Sequence, residues 1–577
     1  AGQYTEAGGK YTVNGTAAAL TVNAAKATIE NGAKVVASGE ATVNADDAIT
    51  VDNANLAAIA GVTVEGKNVT VQNKGYVASH GNVTVKGSES VTVTGEGTKV
   101  ASDNVTALNG DEITVADKGA VYGKTGITVD ANKEFKVDNG LVQAGQYTEA
   151  GGKYTVNGTA ALTVNAAKAT IEKDANVVAS GAATVKGGTI TVDNANLAAI
   201  GSVTVEGKNV TVQNKGYIAS HGDVTVKGSD AVTVTDAKVG SDANTTIEGA
   251  SITADADSEI LAKDTLDLDA TAGDIEVAGK VISKDANLEA KGDITLNNAA
   301  NDFRGAVAAD GENIKLVDAN SIQLGNITGT KGVSVSAETI TINGTTVRAG
   351  EFTVDADGNV NSTSDGDLAL NATKKVEISN GAKVGASGTV DINSGTDGVI
   401  VSGVNTQLAA NDAMTVDANG GSVTIKESAF VGGNSTVSVG ADGSTTSVEV
   451  NGAQLVAKGD VTVKGTDSVT VTGAKIGSDA NTTIEADTIT ADAASEVLAK
   501  NTLKLNATAG AINVEGKVIA ESFDIYCSTV ICYEVIFKCG VVNNSIYTGK
   551  IYCSTISGCL VCCEDRICNI SCVIKVN

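Results

Sequence analysis

The chain has 577 residues, with 66 glycines, no proline, no tryptophan and only 3% aromatics. It cannot build a deep core from large side chains, and a thin core of many small β-branched residues is what remains. A balance of 41 basic against 68 acidic residues gives a net charge of -27, which repels phosphate backbones and anionic lipid and argues against a nucleic-acid partner. No uncharged apolar run reaches the roughly 18 residues that a membrane span needs.

From the first residue the chain repeats itself. The segment AGQYTEAGGKYTVNGTAA stands at 1–18 and again at 144–161, VTVEGKNVTVQNKGY at 62–76 and 203–217, and GSDANTTIE at 240–248 and 477–485. Such duplicated blocks (1–143, 144–300 and 450–522) mark a modular repeat protein that grows by whole units. Within a block a shorter period holds three extended segments. Their first members fall at Val62, Val83, Val105 and Ile127, a step of about 21 residues, and later at Ile314, Val333 and Phe352, a step of about 19. Steps of 19–22 residues are the size of one three-strand coil.

Alternation then sets the faces. In Val91-Thr92-Val93 both valines point one way and the threonine the other, so Val faces in and Thr faces out. The outward threonines Thr63, Thr70, Thr84, Thr92, Thr114 and Thr128 are expected to form ladders, one Thr per strand. That falls short of the paired TxT array associated with ice binding. Asn82-Val83-Thr84 and its like are NxT acceptor patterns. Gly, Asn, Asp and Lys-Gly pairs supply the positive-φ corners, Gly66-Lys67 among them, and proline, which removes a ladder donor, is absent. The fold expected for 1–522 is all-β: a right-handed parallel β-helix, or β-solenoid, with almost no helix. Stacked at about 4.8 Å per coil, roughly 25 coils would make a rod on the order of 120 Å long.

Toward the middle, NDFRGAV at 301–307 runs on through LVDANSIQLGNIT at 316–328. Here the chain resembles the β-helical surface adhesins of Gram-negative bacteria, of the filamentous haemagglutinin and autotransporter passenger type. The likeness in coil style covers most of 1–522. It implies a secreted, extracellular structural or adhesive rod on a cell surface or in a fibre. Its implied partners are copies of itself, joined axially or at the ends, and host or surface glycans or proteins. Neither a signal peptide, nor the secretion domain of two-partner systems, nor a translocating barrel is evident, so the export route stays open.

From residue 523 the composition changes. All nine cysteines fall here: Cys527, Cys532, Cys539, Cys553, Cys559, Cys562, Cys563, Cys568 and Cys572. YCSTV at 526–530 returns as YCSTI at 552–556, as if wider coils stack Cys527 near Cys553. Alternation persists, so 523–577 reads as a β segment that caps the solenoid or joins subunits. Three readings stand for its cysteines. They form disulfides within or between subunits, they are reduced and buried as small hydrophobes, or they bind a metal, although the Cys559-Cys562 spacing has neither a histidine nor a clean second pair beside it.

The alternative function is a carbohydrate-active parallel β-helix enzyme, a polysaccharide lyase or hydrolase. Such an enzyme needs clustered carboxylates, a basic residue and aromatics to stack sugars. Arg304, Arg348 and Arg566 are far apart, and His80 and His221 lie at equivalent ASHG corners about seven coils apart, read as solvent-exposed corner residues. The acidic turn at 355–359 matches neither the EF-hand nor the calcium-roll pattern and reads as solvated. No catalytic residue, cofactor or metal ligand is expected.

Overall fold

The computed structural model describes residues 1–2, 4–7, 10–13, 16–150, 153–355, 360–532, 535–537, 549–557, 561–563 and 571–572. For 4–7, 10–13, 147–150, 153–157 and the strands beyond 527, the description is of backbone alone. No helix occurs among these residues, so none is long and apolar enough to cross a membrane. The chain divides into two units, 1–287 and 288–577.

In the first unit most turns begin with a long strand. Gly61–Gln72 and Asn82–Thr94 pair in parallel, with Val62 on Val83, Thr63 on Thr84 and Val69 on Val91. The long strand bends at a glycine, where the register shifts between Gly66 and Asn68, and this bend separates its two arms. Gly66-Lys67 is therefore a corner, as the sequence suggests. A four-residue strand then supplies the third side, Tyr76–Ser79 in one turn and Lys99–Ser102 in the next. Val62, Val64, Val69, Val71, Val77, Val83, Val85, Val91 and Val93 are at most 1% exposed. Burial of each such side chain contributes roughly 1.5–3 kcal/mol, so a core without large aromatics is assembled from many small increments.

The corner before the short strand takes two successive left-handed residues. Asn73 and Lys74 have φ of 51° and 68°, and Asp117 and Lys118 have φ of 51° and 66°. Gly75 follows because a Cβ there would stand 2.4 Å from the Val51 carbonyl oxygen. The threonines form the expected ladders, Thr42-Thr63-Thr84 on one arm and Thr50-Thr70-Thr92-Thr114 on the other.

The second unit builds the same turn. Val333 lies on Leu368, Leu368 on Val390 and Val390 on Met414, while the short strands Thr346–Ala349, Lys383–Ala386, Gln407–Ala410 and Phe430–Gly433 stack in sequence. Asn301 and Asp318 lock one corner. Asn301, fully buried, donates from Nδ2 to the carbonyls of Leu296 and Val317, and Asp318 accepts the backbone N–H groups of Phe303 and Asn320. Burial pushes the Asp318 carboxyl above its ordinary range, against the pull of those two N–H donors. The NDFRGAV stretch is thus a structural clasp.

Two sequence expectations shift. The inward residue opening the turn after Val83 is Thr106, with Val105 one place off the ladder. Thr106 is fully buried and binds Ser102 Oγ at 2.9 Å and the Tyr122 carbonyl at 2.5 Å. The same network recurs as Ser241-Thr245-Leu261 and Ser478-Thr482-Leu498. Phe352 also opens no turn. It belongs to an antiparallel hairpin, Phe352–Val354 with Val360–Ser362, inserted between stacked residues. Hairpins Tyr4–Ala7 with Lys10–Val13 and Gln146–Ala150 with Lys153–Asn157 leave the stack at the same corner. Such inserts take residues out of the turns, and about 23 turns replace the expected 25 or so.

Candidate functional site

All three hairpins begin immediately after a short-strand position occupied by alanine, at Gly2, Gly145 and Gly350, with φ of 77°, 82° and 77°. A Cβ at these glycines would fall 1.9, 1.9 and 1.7 Å from Ser38 Oγ, Ser180 Oγ and Ser387 Oγ respectively. Only glycine fits the left-handed backbone and the serine below it. Ser38 and Ser180 in turn accept the backbone N–H of Ala18 and Ala160, where the chain rejoins the stack.

Downstream of these exits the short strands present small residues outward. In the first block Ala57, Ala78 and Ala101 lie in register; in the second Ala198, Ala219 and Gly240 do. Each row floors an open trough, of about 470 Å³ around Ala78 and about 350 Å³ around Ala219. Tyr76, Lys99 and Tyr122 flank the first, and Tyr217 flanks the second. Lys99 Nζ stands 5.8 Å from the centre of the Tyr122 ring, within cation-π range. Burial, and secondarily the charge of Asp103, raises the Tyr76 hydroxyl above its usual pKa.

The other rim carries the two histidines. His80 Nδ1 meets Asp103 Oδ2 at 2.5 Å, and His221 Nδ1 meets Asp242 Oδ2 at 2.5 Å. Their side chains remain 34% and 42% exposed, so they are hydrogen-bonded corner residues rather than fully solvated ones. Lys263, 2.5 Å from Asp242, is the main reason that carboxyl sits below its ordinary range, with His221 adding to the effect. The sequence marks the two corners as equivalent, and the structure gives each its own trough. What the sequence reading missed is the hairpins. The signal was the spacing from Ile127 to Leu162, adjacent in register but 35 residues apart.

The remaining candidates fall elsewhere. Arg304 donates from Nε and Nη2 to Asp302, and Arg348 donates to the Phe352 carbonyl; Arg566 lies outside the described residues. Of the acidic turn, 356–359 also lie outside them. No group of three or more His, Cys, Asp or Glu side chains suited to a metal occurs among the described residues. At the cysteine-rich end, strand Ser522–Cys532 pairs in parallel with Thr502–Ala507 and Ala511–Val514, so the stack crosses residue 523. Cys527 lies in register with Cys553, as the echoed YCST segments suggest, and Cys527 is disulfide-bonded. The backbones of Cys532, Cys562, Cys563 and Cys572 lie in strands, and Cys539, Cys559 and Cys568 lie outside the described residues.

These features define a parallel β-solenoid repeat protein. A family model described as repeats of unknown function, DUF5649, matches residues 229–310, the stretch that holds the Ser241-Thr245-Leu261 network and Asn301. No curated protein and no solved structure matches the chain.

Proposed function

We propose that the chain is a secreted structural and adhesive solenoid of a bacterial surface, one that associates with copies of itself and presents a repeated surface to host or surface glycans or proteins. The observation that carries this reading is the ladder. Identical outward residues recur turn after turn in register, Thr42 on Thr63 on Thr84 and Thr191 on Thr211 on Thr233. A surface made this way repeats its chemistry along the stack, which suits spacing and multivalent contact. Association through the ends follows from general physics, since the last turn of any solenoid presents unpaired strand groups. Beyond Cys527, whose disulfide lies within the chain, the cysteines from Cys532 to Cys572 are the groups we assign to a junction between subunits.

Electron microscopy and light scattering of the purified chain, with and without reductant or chelator, test the reading together with adhesion to cells and immobilised glycans. Concentration-dependent filaments that reductant dissolves and chelator does not, with saturable adhesion, support it. A monodisperse protein that adheres to nothing, or one that releases new sugar ends from polysaccharides, overturns it.

A further inference from the structure

The hairpin in the second unit rests on its own short-strand face. It leaves after Ala349, and the outward row beneath it runs Gly385, Ala409 and Gly432 through the next three turns. The Phe352 ring comes within 3.0 Å of where a Cβ of Gly385 would lie, and the Arg348 guanidinium sits 5.2 Å from the ring centre. The far end is clasped by Asn434, the residue following the third short strand. Asn434 Oδ1 accepts the Val360 N–H at 3.2 Å, and its Nδ2 donates to the Val360 carbonyl at 2.5 Å. Bare backbone on a glycine and alanine floor is held by one amide that satisfies both of its polar groups.

The first unit contains this layout twice. After Gly145 the short strands are Asn176–Ala179, Asn196–Ala199 and Tyr217–Ser220, and the residue following the third is His221. After Gly2 they are Lys34–Ala37, Asn55–Ala58 and Tyr76–Ser79, followed by His80. His80, His221 and Asn434 therefore hold one position, three turns below a hairpin exit. The second hairpin has more pairs and ends one residue further on, at Ala150 with Lys153, but equivalent pairs lie at the same reach. Val354 pairs with Val360 four residues beyond Gly350, and Glu149 pairs with Tyr154 four residues beyond Gly145. Four extended residues span roughly 13 Å and three turns span roughly 14 Å, so the pair at that reach arrives at the level of the clasp.

We propose that the troughs around Ala78 and Ala219 are seats for the chain's own hairpins, Tyr4–Val13 and Gln146–Asn157, and that His80 and His221 are their clasps, engaging the backbone at residues 11 and 154. The Asp partner fits this role. By holding Nδ1, Asp103 and Asp242 fix the orientation of each ring, and Nε2 is the atom assigned to the hairpin backbone. The three hairpins then form one device used three times, with Asn in one copy and His-Asp in two. The occupant is intramolecular because each hairpin is tethered at both ends directly above its seat.

Trypsin supplies the test, since Lys153 stands at the start of the second hairpin's return strand. In the full chain, His221→Ala should accelerate cleavage after Lys153 roughly five- to thirtyfold, the effect of losing one to two hydrogen bonds of about 1 kcal/mol each. His221→Asn, which copies Asn434, should keep the wild-type rate. Ala219→Trp, filling the trough, should expose the same bond, and hydrogen exchange at Val210 and Val232 reports whether the stack itself is intact. Wild-type cleavage at the rate of an unstructured peptide overturns the proposal. So does cleavage indifferent to both His221→Ala and Ala219→Trp in a protein whose Val210 and Val232 amides remain protected. If His221→Asn behaves as His221→Ala does, the clasp is overturned.

Discussion

Replacing Thr106 with Val keeps shape and volume while removing one hydroxyl. That hydroxyl, fully buried, stands 2.9 Å from Ser102 Oγ and 2.5 Å from the Tyr122 carbonyl. Its loss leaves a buried Ser102 hydroxyl short of a partner, and an unsatisfied buried polar group costs about 1–3 kcal/mol. The gain from a more apolar side chain offsets part of this, so a net loss of about 1–2 kcal/mol is expected. Because each turn touches only its neighbours, the loss should fall on nearby turns and not on the whole stack. Hydrogen exchange resolved by residue is the suitable assay. Amides of Lys99–Ser102 and Ala120–Gly123 should exchange roughly 5- to 30-fold faster, with those of Val203–Gln213 unchanged. Thr is not simply tolerated inside, however. Val62→Thr, with Ala58 rather than serine four residues upstream, should lose about 1–3 kcal/mol. Val83→Thr should be nearly neutral, because Ser79 already occupies the place that Ser102 holds for Thr106. Equal exchange in Thr106→Val and wild type, or equal cost for Val62→Thr and Val83→Thr, would refute the reasoning.

Gly350→Ala should destabilise the second unit by more than the left-handed strain alone, about 1–2 kcal/mol, because the new methyl meets Ser387 Oγ; Gly350→Ala with Ser387→Ala should recover part of the loss in chemical denaturation. Asn301→Ala leaves the Leu296 and Val317 carbonyls without their amide donor and should cost about 1–3 kcal/mol, while Asn301→Asp, which turns carboxylate oxygens toward two carbonyls, should cost more by the same measurement. Asp492 is held below the ordinary carboxylate range, chiefly by the Gly473 N–H and then by Ser495 Oγ. Its contribution is therefore present above the unfolded carboxylate pKa and lost as pH falls through the lowered folded value. Protection of the Gly473 amide, corrected for intrinsic exchange, should drop on acidification in the wild type and stay flat in Asp492→Asn.

Turn size, strand count and the inward and outward faces were legible because each follows from a local rule. A Val-Thr-Val triplet fixes its faces by pleat alone, and Asn-Lys-Gly fixes a corner by the dihedrals those residues accept. What failed locally was decided by neighbours. Thr106 enters the core because Ser102 stands four residues before it and the Tyr122 carbonyl is in the next turn, facts no alternation pattern contains. Phe352 looked like the start of a turn because its spacing from Val333 imitates the period; it is the 35-residue interval from Val333 to Leu368 that betrays an insert. The troughs were illegible for the same reason. Ala78, Ala101, His80 and Asp103 come from two turns, and each alone is an ordinary corner or strand residue.

The fold consists of parallel turns stacked in register, and the distance between outward positions along one ladder tests it most directly. Thr42, Thr63, Thr84, Ala107 and Thr128 occupy successive places on one arm. Spin labels attached through ketone-bearing unnatural side chains, which leave the nine cysteines untouched, can be placed at Thr42 with Thr84 and at Thr42 with Thr128. Backbone separations of roughly 10 Å and 19 Å are expected at about 4.8 Å per turn, so the measured distance should grow by about 10 Å between the two pairs. Equal distances, or an increment that departs from the strand spacing, would contradict the stack and everything built on it.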